Sequence, residues 1–243
     1  MPAINEQSIS LRDNGSQGDT DRLLPPGLCL KTTIQVFAGE EPEPFIIHKD
    51  ILCASSDFFK NACKEPWKES AGVVELSGTE PRLFEVYARW LYSPDVLNLM
   101  EKPVVTTAAN GAISVPAYEP LFHLYALGDM LQDSKFKNAI LDKIVEVRRL
   151  VNYHPICFSA FVYSELPPSS PLRRLYVDFW VGSSASDWFN TKNPADDCNS
   201  PDAPMEFFRD VLRQSKTGGA GKKLWEEDIC QYHEHPAGIK CQK

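Results

Sequence analysis

Apolar and polar residues alternate with a period of two at the start of the ordered-looking part of this chain, then shift to helical spacing. In residues 32–37, Ile34 and Val36 fall on one face and Thr33 and Gln35 on the other, the signature of a half-buried strand. The Gly- and Pro-containing run 39–44 predicts a turn, and residues 45–48 a return strand with Phe45 and Ile47 on one face, giving an antiparallel hairpin. The pattern breaks at His48-Lys49-Asp50. Asp50 is expected to cap a short helix at 51–54, and Ser55-Ser56-Asp57 to start a second one carrying Phe58, Phe59 and Cys63, which Pro66 stops. Val73-Val74-Glu75-Leu76 predicts a third strand.

From there the chain reads as helical. Thr79 and Pro81 mark the start of a helix with Leu83, Tyr87, Trp90 and Leu91 at helical spacing, Phe84 beside them, and Pro94 at its end. Residues 93–116 form an irregular connection, with short strands at 104–107 and 113–115. Residues 121–131 predict another helix. Asp133 caps the next, where Phe136, Ile140, Ile144 and Val147 line one face while Lys143, Glu146, Arg148 and Arg149 are read as solvated. Further helices are expected within 156–163, after Ser170-Pro171 with Leu172, Leu175, Tyr176 and Phe179 as the buried stripe, and at 204–213 with Phe207, Phe208, Val211 and Leu212 apolar.

Composition narrows the class. The chain has 243 residues, 43% hydrophobic and 24% charged, ordinary values for a globular protein able to bury a core without disulfides. Its net charge of −8, with no dense basic stripe, argues against binding nucleic acid. No apolar run approaches the roughly 20 residues needed to cross a bilayer, and the polar N-terminus reads as no signal peptide, which makes the sequon at Asn14 irrelevant. Seven scattered cysteines are then expected to be reduced thiols in a cytoplasmic or nuclear protein. Residues 1–27, rich in Asn, Ser, Gln, Gly and Asp, are expected to be disordered.

Candidate chemistry is sparse. Cys230, His233, His235 and Cys241, spaced C-x2-H-x-H-x5-C, have the ligand types and number of a tetrahedral zinc site. The spacing is not that of a common zinc finger, and the reading adopted is a polar tail with exposed histidines and free thiols. Gly218-Gly219-Ala220-Gly221-Lys222-Lys223 fails the phosphate-loop pattern, with Lys at 216 and at 223, and reads as a flexible linker. His48 reads as a hydrogen-bonded structural residue at a strand end, Cys53 and Cys63 as small buried hydrophobes, and Trp67 as a ring folded onto the core. No residue is assigned a catalytic, cofactor-binding or metal-ligating role, and no cofactor is expected.

Several of these segments resemble one family. Residues 32–37 followed by FIIHKDILCASSDFF (45–59), WKES (67–70) before VVEL (73–76), the Phe84…Trp90-Leu91-Tyr92 helix, and LYALGDML (124–131) followed by FKNA (136–139) are similar, in order, to a BTB/POZ domain. Residues 150–215, with SPLRRL (170–175) and DWF (187–189), resemble the helical extension of BTB proteins common in filamentous fungi. The resemblance implies an α+β fold, a small sheet flanked by helical hairpins, with an α-helical C-terminal extension. It divides the chain into a disordered tail (1–27), a BTB/POZ domain (28–150), a helical extension (151–215) and a flexible linker with a polar tail (216–243). It implies a protein–protein interaction module without catalytic activity, a substrate adaptor for a cullin-3-type ubiquitin ligase. The alternative is a homo- or hetero-oligomerising scaffold, or a transcription-related BTB protein, without ligase function. The expected partners are cullin-3 or another BTB chain. The first strand, Lys31-Thr32-Thr33-Ile34, lacks the Asp that many dimeric members carry there, so the resemblance does not extend to that dimer pocket.

Overall fold

A computed structural model of the chain describes residues 27–40, 43–64, 72–99, 103–107, 113–155, 157–182, 202–235, 239 and 241. The expectations for the N-terminal tail up to residue 26 with its Asn14 sequon, the Pro66 helix stop, the Trp67 turn and the 187–189 segment lie outside the described residues. The chain is of the α+β class, predominantly helical around a small three-stranded sheet.

Strands β1 (Thr33–Ala38) and β2 (Phe45–His48) form the expected antiparallel hairpin, and β3 (Val73–Leu76) joins β1 in parallel, giving the order β2-β1-β3. The register aligns Ile34 with Ile47, and Val36 with both Phe45 and Val74, so one face of the sheet is continuous and apolar. The opposite face presents the row Ile46, Gln35, Val73. Parallel pairing of β3 requires a crossover, which the two helices between β2 and β3 supply.

Those helices are α1 (Lys49–Ser55) and α2 (Asp57–Ala62). The second starts as its sequence predicts, with the Ser56 hydroxyl accepting from the Phe59 amide. The first differs. It begins one residue before Asp50, with His48 at the N-cap position, and the Asp50 carboxylate instead accepts from the Cys29 amide at 2.7 Å. Asp50 thus ties the segment preceding β1 to the helical corner.

Helix α3 (Pro81–Tyr92), with Pro81 at its first helical position, packs on the sheet through Phe84 against Phe45, and α4 (Tyr118–Met130) and α5 (Ser134–Val151) form a pair behind it, with Phe136 against Tyr87 and Trp90. Between α3 and α4, a 3-10 turn (Pro94–Leu99) precedes the two-residue strands β4 (Thr106–Thr107) and β5 (Ile113–Ser114), paired antiparallel. Phe136, Ile140, Ile144 and Val147 are all buried, as their spacing predicts. Asp133 caps α5 through the Phe136 amide, and the same buried carboxylate accepts from the Ser55 and Tyr87 hydroxyls. One side chain therefore joins α1, α3 and α5. Ser56 complements it by donating to the Leu131 carbonyl.

The extension comprises α6 (Ser159–Glu165), α7 (Pro171–Val181) and α8 (Met205–Gln214). Helix α7 is central: all its residues except Arg174 are buried. Tyr176 and Trp180 pack against Phe207 of α8 with centroid separations of 5.7 and 5.6 Å, and Tyr176 reaches Phe122 of α4 at 5.9 Å. The core is thus one buried cluster running from Ile34 to Tyr232. Leu212, expected to join the apolar face of α8, is instead exposed, because the buried stripe of that short helix is only Phe207 and Val211.

The largest difference from the sequence reading lies after residue 215. In place of a flexible linker and polar tail, the chain makes a wide helical turn (Ser215–Gly219), reversing at Gly218 (φ +88°). It then forms the short helix α9 (Leu224–Glu227) and a 3-10 turn (Ile229–Tyr232). Trp225 is 0% exposed and packs edge-on to Phe179 at 4.7 Å. Burying an indole of this size stabilises the contact by a few kcal/mol (about 3), enough to hold a segment whose neighbours are polar. This docking also corrects the reading of Arg148 as solvated. Its guanidinium lies 5.7 Å from the Trp225 ring centroid, its Nη1 donates to Asn152, and the residue is buried.

Candidate functional site

The most chemically distinctive arrangement is where the docked tail crosses α5. The 3-10 turn ends at Tyr232, whose hydroxyl donates to Asp178 of α7 at 2.6 Å. This anchor sets the direction of the next residues. The Glu234 amide donates to the Asn138 side chain, whose amide donates back to the Glu234 carbonyl, at 2.9 and 3.0 Å. The Glu234 carboxylate meets Lys137 Nζ at 2.7 Å, and Asp129 meets the same ammonium at 2.9 Å. Burial disfavours the Lys137 charge, but the two carboxylates outweigh it and raise its pKa.

Held in this way, residues 230–235 turn their sulfur and imidazole groups toward Cys241. Cys230 Sγ lies 3.3 Å from His235 Nε2, and Cys241 Sγ lies 3.2 Å from the same nitrogen. One ligand atom from each of these residues falls within 4.8 Å of the other two. His233 joins through Nδ1, 2.9 Å from Cys241 Sγ, and its Nε2 lies 3.1 Å from the Asp142 carboxylate of α5. The Cys241 amide donates to Cys230 Sγ at 3.3 Å, and the Cys230 amide donates to Asp228 at 3.0 Å. The His233 side chain is 5% exposed, so the expectation of exposed histidines is corrected: α5 covers this ring. Burial, reinforced by the neighbouring Cys230 thiol, pushes the Cys241 thiol up to about 11.

The other residues singled out by sequence are structural. His48 Nδ1 and the Tyr92 hydroxyl share a 2.8 Å hydrogen bond, and the same hydroxyl accepts from the His48 amide at 3.1 Å, pinning the end of β2 to α3. Cys53 donates weakly to the Phe59 carbonyl at 3.7 Å, and burial, with Cys63 nearby, pushes its thiol up to about 11. Cys63 is half-buried. The Gly-rich segment 218–221 leads from a helical turn into α9, with no strand feeding it, so its backbone lacks the strand–loop–helix setting of a phosphate loop. A cleft of about 360 Å³ lies between α7, α8 and the tail. Its polar groups already serve the fold: Asp178 accepts from Tyr232 and Gln214, Arg174 donates to the Gln231 carbonyl, and Asp210 accepts from Tyr163.

A second surface concerns binding. On the outer face of the sheet, Ile46 is 65% exposed and Val73 41% exposed, flanking Gln35 in one row. The two apolar side chains stand on either side of Gln35 as a short exposed row. Sequence reasoning gave the alternation but not this row, because the parallel pairing of β3 with β1 is set by the crossover. Likewise the ligand types at 230–241 were legible, whereas the Asp142 contact was not, since it spans 91 positions.

Compared with protein-family models and with curated proteins, the chain matches none.

Proposed function

We propose that the chain is a non-catalytic protein–protein interaction module of the BTB/POZ type, with the helical extension and the docked tail packed onto it. What supports this reading is the order of elements: hairpin, helical corner at His48–Ser56, parallel third strand, α3, then the α4–α5 pair, the order in which the resembling segments occur. The observation that carries a binding role is the exposed row Ile46–Gln35–Val73 on a sheet whose other face, Ile34, Val36, Ile47 and Val74, is buried.

The partner proposed first is the N-terminal region of a cullin-3-type ligase scaffold, which would make the chain a substrate adaptor, a role argued from fold-level analogy. Pull-down with a purified cullin-3 N-terminal region tests it. Micromolar binding supports the adaptor role, and no binding at those concentrations overturns it. The exposed apolar row also favours self-association as a second reading, that of an oligomerising scaffold. Light scattering across a concentration series then decides: a dimer that Ile46→Asp returns to monomer supports it, and a concentration-independent monomer eliminates it.

A further inference from the structure

We propose that Cys230, His233, His235 and Cys241 form a structural zinc site that clips the C-terminal tail onto α5. This goes beyond an interaction role and does not depend on it.

The geometry points to a metal more than to a hydrogen-bonded cluster. In a tetrahedral site with Zn–S of about 2.3 Å and Zn–N of about 2.05 Å, sulfur and nitrogen ligands stand about 3.5 Å apart. The observed separations of 3.3 and 3.2 Å from the two sulfurs to His235 Nε2 are close to that value. Thiols are weak hydrogen-bond donors and do not ordinarily converge in pairs on one imidazole nitrogen. Two sulfurs and two imidazoles constitute a closed donor set that suits zinc, soft enough to exclude magnesium and calcium. Cys230, His235 and Cys241 converge as three donors, and His233, with Nδ1 2.9 Å from Cys241 Sγ but outside that convergent group, supplies the fourth once its ring turns toward the ion.

The surroundings match what a bound cation needs. His233 holds its second nitrogen on the Asp142 carboxylate at 3.1 Å, the arrangement that fixes the tautomer of a metal-bound imidazole and raises its basicity. The Cys241 amide points at Cys230 Sγ, an N–H···S contact that stabilises a thiolate. The two thiols lose their protons on binding, so the two thiolates neutralise the divalent charge and both protons are released to solvent. The ligands all come from the tail, while the orienting carboxylate comes from α5. A zinc ion here would close a loop in a segment otherwise held by Trp225, Tyr232 and Glu234, and would favour the docked state over an undocked one.

The test uses the full-length chain, equilibrated with zinc under reducing conditions and then dialysed. Elemental analysis is expected to find near-stoichiometric zinc. Cobalt titration is expected to give the intense visible bands of a tetrahedral site with thiolate-to-metal charge transfer. The Cys230→Ser/Cys241→Ser double variant should lose both signals, and Cys29→Ser should keep them. Asp142→Ala should weaken zinc affinity about 10–100-fold, the effect of removing an orienting partner. If the double variant fails to fold by far-UV circular dichroism, His235→Gln and the wild-type cobalt spectrum decide. The proposal is overturned if the wild type takes up neither metal, if zinc persists in the double variant or in His235→Gln, or if non-reducing mass spectrometry finds a Cys230–Cys241 disulfide in zinc-loaded protein.

Discussion

Trp225 lies directly over Gly182. A Cβ at position 182 would stand 2.6 Å from the indole Cη2 and 2.8 Å from the Lys222 carbonyl oxygen. The glycine sits where α7 ends, and the Gly221 amide donates to the Val181 carbonyl at 3.0 Å alongside it. The backbone of the returning tail and a buried indole thus converge on a residue with no side chain.

Gly182→Ala should therefore displace the tail. Neither the rigid indole nor the Lys222 backbone can yield cheaply, and overpacking of this kind costs about 1–3 kcal/mol. The expected outcome is a lower denaturation midpoint together with faster proteolysis around 216–223. Gly78→Ala is the control, since nothing lies within 4 Å of a Cβ there. An unchanged midpoint and digestion pattern for Gly182→Ala would show that the tail does not dock as described.

Asp133 is the second point at which separate elements meet. Its carboxylate accepts from the Phe136 amide at 2.9 Å and the Tyr87 hydroxyl at 3.0 Å, and also from Ser55. Burial and the adjacent carboxylate raise the Tyr87 pKa, so its hydroxyl remains a donor across the accessible pH range. Asp133→Ala removes a helix cap and leaves buried donors unpaired, a loss of about 2–4 kcal/mol. Tyr87→Phe should cost about 1 kcal/mol alone, and clearly less in the Asp133→Ala background, because the two act on one hydrogen bond. Strict additivity of the two in urea denaturation would contradict the network.

Phe59 tests the corner that follows the hairpin. Its ring is fully buried, edge-on to Phe58 at 5.2 Å and tilted against Phe84 at 6.5 Å. Phe59→Ala should cost about 3–5 kcal/mol, read as a shift in the denaturation midpoint at constant slope. A wild-type midpoint would mean that the ring is not part of the core.

Much of this was legible from periodicity, because a side chain's face along a helix or strand is a local property. The stripe Phe136, Ile140, Ile144, Val147 and the alternation around Ile34 and Val36 needed no knowledge of what they pack against. The misread residues depend on distant parts of the chain. Arg148 looked like one more charge on the outer face of α5 and is buried because Trp225 returns over it. Asp50 had the right type and place for a cap, but the amide of Cys29 claims it. The tail looked flexible because its glycines and charges dominate its composition, while its two anchors, Trp225 and Tyr232, find their partners on α7. The Cys/His cluster was half legible for the same reason: sequence gave the ligand types, and only the docked tail brings the donor atoms together and turns His233 to Asp142.

His154 gives the last prediction, a pH dependence. Its ring packs edge-on to Trp180 at 4.8 Å with Nε2 enclosed, and burial, aided by the nearby Arg148 charge, lowers its pKa from 6.5 to about 4. The folded state therefore holds this imidazole neutral, whereas the unfolded chain protonates it near 6.5. Below that pH the unfolded state binds the extra proton, so stability contributed by this group is full above pH 6.5 and is lost progressively as pH falls toward 4. The shift corresponds to about 3 kcal/mol. Replacing His154 with Gln removes the proton-binding difference, so the variant should lose less stability than wild type between pH 7 and pH 4 (about 3 kcal/mol less), whatever its stability at neutral pH. Urea denaturation of both proteins at a series of pH values measures this directly. Parallel pH profiles for wild type and variant would show that His154 titrates normally in the fold.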